Sequence, residues 1–136
     1  MKNILIDAGP LIALFDRGDK YHLKAISFLK SLDRGLLTTW PVITETSHML
    51  NFSTKAQANF LEWIERGGLK IFEMEHEHVN RLTELTKKYD DVPMDLADAS
   101  LILVSEVKGI HQIASIDSDF YIYRDIRNKY LDNIFL

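Results

Sequence analysis

Short apolar runs alternate with longer segments of helical periodicity, and this alternation is the feature that most restricts the fold. The first run, Ile4-Leu5-Ile6, is continuous and rich in β-branched side chains, as is typical of a strand buried on both faces. Similar runs recur at 36–39, 69–72 and 110–116, with a weaker candidate for an edge strand at 133–136. Strands separated by helices predict an α/β fold of three layers, α/β/α, with a central parallel sheet of four or five strands.

The segments between these runs carry apolar side chains at helical spacing. Pro41 suits the first turn of one helix, Ser53 is a suitable N-cap for the next, and Gly109 ends the last one. That last helix, which starts at Asp95, is apolar nearly all round and is therefore expected to be buried. We predict helices over 11–18, 21–32, 41–50, 53–67, 76–89 and 95–109.

Length and composition favour a single domain over 1–136. With 136 residues and 46% apolar side chains, the chain can bury a core without cross-links. The absence of cysteine excludes disulfides, thiolate nucleophiles and cysteine-based metal sites. Asp7 interrupts the first apolar run where a signal peptide would continue, and no later run approaches the roughly 20 residues of a membrane helix. We therefore expect a soluble, cytoplasmic protein with no membrane partner.

The charge balance is mildly acidic and decides little about partners. A net charge of −4 does not favour a general nucleic-acid surface, which normally has a strong basic excess. However, carboxylates intended for metal are counted in this sum as bare negative charge, and each bound divalent ion would cancel two units of it. Charge alone therefore neither establishes nor excludes a nucleic-acid substrate.

Four acidic side chains are expected to meet at one edge of the predicted sheet. Asp7 ends the first strand and Asp117 follows the fourth, so their carboxylates converge if those strands are neighbours. Glu45 and Asp98 lie near the starts of helices that pack at the same edge. Carboxylates held together repel one another unless a cation is present, and an all-oxygen ligand set favours Mg²⁺ or Mn²⁺ over zinc. Such a site predicts metal-assisted hydrolysis of a phosphodiester.

The acids also stand in four short motifs whose order and spacing extend along nearly the whole chain. The motifs are Asp7-Ala8-Gly9-Pro10, Thr44-Glu45, Asp98-Ala99 and Ser115-x-Asp117-x-Asp119. Each motif is weak alone, but together they resemble those of the PIN-domain ribonucleases, and more closely those of the VapC-type toxins of toxin–antitoxin pairs. The chain departs from the common pattern at Ala8, where many members carry a small hydroxyl residue. Ser115 replaces the usual Thr and keeps the hydroxyl.

The resemblance implies a PIN-like fold and a metal-dependent endoribonuclease that hydrolyses RNA. It also implies a homodimer and a cognate antitoxin protein as a partner. We expect all four acids to form the catalytic metal site, with Asp7, Asp98 and Asp117 as ligands. Glu45 is either a further ligand or the group that orients the attacking water.

Several residues near these motifs have a structural interpretation beside the functional one. Asp95 suits a helix N-cap but could support the metal through a water, and Asp119 is either an outer ligand or a loop cap. Glu45-x-x-His48 matches a di-iron pattern, but that pattern requires four long helices and conflicts with the strands. The aromatic side chains Trp40, Phe52, Phe60 and Trp63 could stack on bases, although at helical spacing they more often pack in a core or a dimer seam.

Three other functions compete with the nuclease interpretation. A response-regulator phosphoacceptor requires an acidic pair after the first strand and an Asp at the end of the third, where Phe72 stands. A haloacid-dehalogenase-like phosphatase requires Asp-x-Asp after the first strand, whereas Asp117-x-Asp119 follows the fourth. A catalytically silent PIN-like domain that binds protein or RNA remains the main alternative, although retention of all four acids speaks against it.

Overall fold

A five-stranded parallel sheet forms the centre of the computed structural model, which describes residues 3–92 and 94–136. The strands are β1 (Ile4–Ile6), β2 (Leu36–Thr38), β3 (Lys70–Ile71), β4 (Gln112–Ala114) and β5 (Asp132–Asn133). Their spatial order is β3-β2-β1-β4-β5, and every neighbouring pair is parallel. The predicted parallel sheet is confirmed, and β1 and β4 are neighbours as the placement of Asp7 and Asp117 requires.

Six α-helices lie between β1 and β4 in the described part of the chain. They are α1 (Ala8–Phe15), α2 (His22–Ser31), α3 (Trp40–Met49), α4 (Thr54–Glu65), α5 (Val79–Lys88) and α6 (Leu96–Lys108). The expected caps are present, because the Ser53 side chain accepts from the Ala56 amide and Gly109 ends α6 with φ of 67°. Within the described residues, no helix is long and apolar enough to cross a membrane.

Several element boundaries differ from the sequence predictions, and two of these differences have clear physical reasons. The helix expected to begin at Leu11 begins at Ala8, because Pro10 fits a first turn, where a backbone N–H has no partner in the helix. The strand expected over 110–116 covers only 112–114. Ile110 and Ile116 are apolar because they pack against neighbours, and packing extends beyond the residues that pair in the sheet.

The core lies on both faces of β1 and along α6. Ile4, Leu5 and Ile6 are all buried, as are most residues from Ala97 to Ser105. The predicted burial of α6 is therefore confirmed. The segment after β4 also enters the core, with Phe120 and Tyr123 fully buried. Burying apolar area on both faces of the sheet stabilises the strand ends that carry the acids.

Candidate metal centre

Asp7 is positioned by the end of β1 and the start of α1. Its amide donates to the carbonyl of Ala114 on β4 (3.0 Å), and the residue is only 7% exposed. One carboxylate oxygen, Oδ2, accepts a hydrogen bond from the Ser115 hydroxyl (3.1 Å). The Asp7 carboxylate is therefore buried at the carboxyl end of the sheet and tied to the neighbouring strand.

Asp117 is brought towards Asp7 by a close approach of α1 to the segment after β4. A Cβ atom on Gly9 would lie 3.0 Å from Cδ1 of Ile116, which is tighter than ordinary packing. Glycine therefore lets the first turn of α1 lie against the residue that precedes Asp117. The Asp117 amide donates to Ser115 Oγ (2.9 Å), and its own Oδ1 accepts from the Asp119 amide (2.8 Å).

Asp98 enters the site from the first turn of α6. A reciprocal pair of bonds joins it to the N-cap residue: the Asp98 amide donates to Asp95 Oδ1 (2.8 Å), and the Asp95 amide donates to Asp98 Oδ2 (3.4 Å). The Tyr123 hydroxyl donates to the same Oδ2 (3.2 Å). The N-cap interpretation of Asp95 is confirmed, and Tyr123 is an additional partner of the site.

Three of the four predicted acids form one compact group. One oxygen from each of Asp7, Asp98 and Asp117 lies within 4.8 Å of the others. Glu45, on α3, lies on the wall of the same cavity but is not a member of this group. The cavity has a volume of about 380 Å³, and Asp95, Ile12 and Met49 also line it. All four acids therefore face one cavity, with Glu45 further from its acidic centre.

Burial makes these carboxyl groups hard to ionise without a cation. It raises the pKa of Asp7 to about 6, although hydrogen bonds from Ala8 and Ser115 oppose the rise. It also raises the pKa of Asp98 to about 8, with further contributions from the negative charges of Asp95, Asp7 and Asp117. The pKa values of Glu45 and Asp117 are raised as well, chiefly by burial. A divalent cation would offset both the cost of burying these carboxylates in the charged form and their mutual repulsion.

The donor set fits a hard divalent ion. The group consists only of carboxylate oxygens, which Mg²⁺ and Mn²⁺ prefer, and it contains neither histidine nor cysteine. Its position beyond the carboxyl ends of β1 and β4 is where ligands of open α/β sheets bind. The residues present therefore fit the metal that the sequence predicts.

The raised pKa values predict that the metal-free protein loses stability as pH rises from about 4 to about 8. In that range the folded state retains protons that the unfolded chain has released, so rising pH favours unfolding. For Asp7 alone, a pKa of about 6 against the ordinary 3.8 corresponds to about 3 kcal/mol. Thermal melting in EDTA across this range measures the loss, and a double Asp7→Asn, Asp98→Asn variant is the control. A wild type no more sensitive to pH than this variant would contradict the prediction.

The structure supports the packing interpretation for some of the remaining candidates and not for others. Phe60 is fully buried and Trp63 packs against Phe15, so both belong to the packing interpretation. Trp40 and Phe52 are 51% and 61% exposed, so neither is a core residue. The Asp119 amide bonds to Asp117, while the role of the Asp119 carboxylate stays a prediction.

Tyr123 and Asn133 are site neighbours that sequence reasoning missed. The sequence predicts no role for Tyr123, and it places Asn133 only in the weak edge-strand candidate at 133–136. Tyr123 contacts Asp98 through one side-chain hydrogen bond across 25 residues of chain, and Asn133 contacts Ser115 through two across 18 residues. Such contacts leave no periodic pattern, and no signal in one sequence could have identified them.

Comparison with known protein families identifies the class. The family model for the PIN domain matches residues 4–126, and the chain belongs to the PIN-domain family. A comparison with curated proteins finds no significant match. The family match covers the strands and helices that carry all four acids.

Solved structures agree on the fold. VapC20 of Mycobacterium tuberculosis, a toxin that cleaves the sarcin-ricin loop, superimposes with a TM-score of 0.80 at 21% identity, over 88% of this chain and 94% of that one. VapBC2 of Rickettsia felis, bound to a DNA fragment of its promoter, gives a TM-score of 0.66 at 13% identity, over 97% of this chain and 98% of that one. PAE2754 of Pyrobaculum aerophilum gives a TM-score of 0.57 at 18% identity, over 86% of this chain and 81% of that one. The PIN-like α/β/α prediction is confirmed.

Proposed function

We propose that this protein is an endoribonuclease that uses Mg²⁺ or Mn²⁺ to hydrolyse RNA phosphodiester bonds. The observation that carries the proposal is the compact group of three carboxylates, the buried Asp7 and Asp98 and the half-buried Asp117, beyond the carboxyl ends of two neighbouring strands. Membership of the PIN family supports a nuclease activity for this group. The match of one family model over residues 4–126 also supports a single domain over 1–136.

Asp7, Asp98 and Asp117 would hold the metal. When bound, the metal would acidify water and stabilise negative charge on the phosphate. Glu45 lies on the cavity wall, where it can serve as a further ligand or accept a proton from the attacking water. The raised pKa of the Glu45 carboxyl favours the second role, since a more basic carboxylate is a better proton acceptor.

Neighbouring groups keep the carboxylates oriented. Ser115 Oγ donates to Asp7, and the Tyr123 hydroxyl donates to Asp98. Each bond leaves further lone pairs on the carboxylate, because a carboxylate can accept about four hydrogen bonds. Orientation before substrate binds lowers the cost of assembling the site during the reaction.

RNA is the proposed substrate because of the family and of a surface beside the site. A groove lined by Trp40, Pro41 and Leu96 shares Glu45 and Asp95 with the acidic cavity. The exposed Trp40 ring offers a face on which an unpaired base can stack next to the scissile phosphate. The activity of VapC20, cleavage of the sarcin-ricin loop, supports the same substrate class.

We further propose that the protein is the toxin of a toxin–antitoxin pair and acts in the cytoplasm. VapBC2, whose fold resembles this chain over nearly its full length, supports an antitoxin protein as partner. The motif resemblance adds a homodimer to this proposal. The main alternative is a catalytically silent PIN-like domain that binds protein or RNA, and convergence of the acids in one cavity favours the enzyme.

Removing metal is expected to abolish RNA cleavage reversibly. Purified protein incubated with total RNA should cut it in Mn²⁺, stop cutting in excess EDTA, and recover when Mn²⁺ is restored, because the carboxylates alone cannot activate water. Gel analysis of the RNA measures the effect. Undiminished cleavage in EDTA would contradict the metal mechanism, and intact RNA under all conditions would favour the silent domain.

A further inference from the structure

Asn133 on β5 clamps the backbone of Ser115. Its Oδ1 accepts from the Ser115 amide (3.3 Å), and its Nδ2 donates to the Ser115 carbonyl (2.9 Å). Oδ1 also accepts from the Phe135 amide (3.0 Å). Both Asn133 and Ser115 are buried, so the protein itself must satisfy these polar groups.

The clamp begins where the sheet ends. The backbone ladder between β4 and β5 includes the bonds from Asp132 to His111 (2.7 Å) and from Ile134 to Ile113 (2.9 Å). Ser115 lies one residue beyond the end of β4 at Ala114. The Asn133 side chain therefore supplies the two bonds that a further ladder residue would have made, and it extends the rigid part of the sheet to Ser115.

Ser115 in turn contacts two of the three acids. Its hydroxyl donates to Asp7 Oδ2 (3.1 Å) and accepts from the Asp117 amide (2.9 Å). A small shift of the Ser115 backbone would therefore change the positions of both carboxylates together. The connection runs from Asn133 to Ser115 and then to Asp7 and Asp117.

We propose that Asn133 is a positioning residue for the metal site and acts through Ser115. The inference rests on the function proposed above. Asn133 lies beyond residues 4–126, which the family model matches, so the family motifs do not include it. The clamp needs one donor and one acceptor on the same short side chain, a combination that Asp and Leu of similar size lack.

Substitution of Asn133 is expected to weaken Mn²⁺ binding by about 10- to 100-fold, which is the usual effect of losing a partner that orients metal ligands. Asn133→Asp retains the shape but places a carboxylate oxygen against the Ser115 carbonyl. Asn133→Ala removes the clamp altogether. Asp132→Ala is the matched control, because Asp132 is the exposed neighbour on the same strand. Isothermal titration with Mn²⁺ measures the affinity, and thermal melting identifies any variant that fails to fold.

A double-variant comparison separates positioning from simple loss of stability. If Asn133 acts through Ser115, adding Asn133→Asp to Ser115→Ala should weaken Mn²⁺ binding by less than about 2-fold beyond Ser115→Ala alone. The proposal would be overturned if the losses of Mn²⁺ affinity in the two single variants added up in the double variant, or if Asn133→Asp bound Mn²⁺ as tightly as wild type.

Amide hydrogen exchange in metal-free protein gives a readout that does not depend on activity. The Asp117 amide should exchange faster in Asn133→Asp than in wild type, while Asp132→Ala leaves it unchanged. An unchanged exchange rate of the Asp117 amide in Asn133→Asp would overturn the proposed link from Asn133 through Ser115 to the acids. If wild type neither binds Mn²⁺ nor cuts RNA, the proposed function fails, whereas the exchange result still decides whether Asn133 orders the acidic group.

Discussion

Replacing Asp7 by Asn is expected to reduce RNA cleavage on the order of 10³-fold, because a lost ligand removes several kcal/mol of charge stabilisation by the metal. The variant should remain folded. Asn has nearly the shape of Asp, its Oδ1 can accept the bond from Ser115, and the bond from the Asp7 amide to Ala114 is unaffected. Initial rates of cleavage in Mn²⁺, measured beside a melting curve, check both parts of this expectation.

The control for this prediction is Asp33→Asn, which makes the same chemical change on an exposed carboxylate outside the cavity. It should cleave RNA at the wild-type rate. If Asp7→Asn cleaves as fast as Asp33→Asn, Asp7 is not a metal ligand. If Asp7→Asn loses both its activity and its melting transition, Asp117→Asn is tested in its place. This variant alters a less buried member of the group and should show the same loss of RNA cleavage.

Replacing Asp98 by Asn is expected to remove most of the stabilisation by Mn²⁺ without lowering the stability of the metal-free protein. At about 100 times its dissociation constant, a ligand stabilises the folded state by about 2.7 kcal/mol, or roughly 10 °C for a domain of this size. In EDTA the variant should melt no lower than wild type, because it removes a carboxyl group whose pKa is raised to about 8 by burial and, to a smaller extent, by neighbouring negative charges. The Tyr123 hydroxyl can still donate to the amide oxygen.

Melting curves at about pH 8, with and without Mn²⁺, test this prediction for wild type and variant together. A variant that gains as many degrees from Mn²⁺ as wild type would rule out Asp98 as a ligand. A variant that melts well below wild type in EDTA would show that the Asp98 carboxylate stabilises the apo fold, contrary to the electrostatic account. The Asp33→Asn protein again serves as the unchanged reference.

The sequence was sufficient to place the acids on the correct elements. A continuous β-branched run ended by Asp7 predicts a buried strand with a carboxylate at its end, and the same reasoning locates Asp117 after β4. Both predictions need only local pattern and the rule that ligands collect at the carboxyl ends of parallel strands. The apolar pattern of α6 likewise predicts a buried helix with Asp98 in its first turn.

Details that depend on packing were not predictable. The separation of Glu45 from the three-carboxylate group depends on how α3 lies against α6, which no periodicity specifies. The approach of Gly9 to Ile116 brings two motifs together, yet from the sequence Gly9 suggests only a turn and Ile116 only a strand residue. Strand lengths were overestimated for a related reason, because apolar runs record burial and not hydrogen-bond pairing.

Mapping the ends of the cleaved RNA distinguishes metal-assisted hydrolysis by these acids, in which water is the nucleophile, from cleavage by the ribose hydroxyl. Fragments made in Mn²⁺ by wild type, but absent with Asp7→Asn, should end in a simple phosphate and a hydroxyl, since water attacks the phosphorus. A 2′,3′-cyclic phosphate would show that the ribose hydroxyl is the nucleophile. That result, particularly if it persisted in EDTA, would contradict the assignment of these carboxylates to a metal centre.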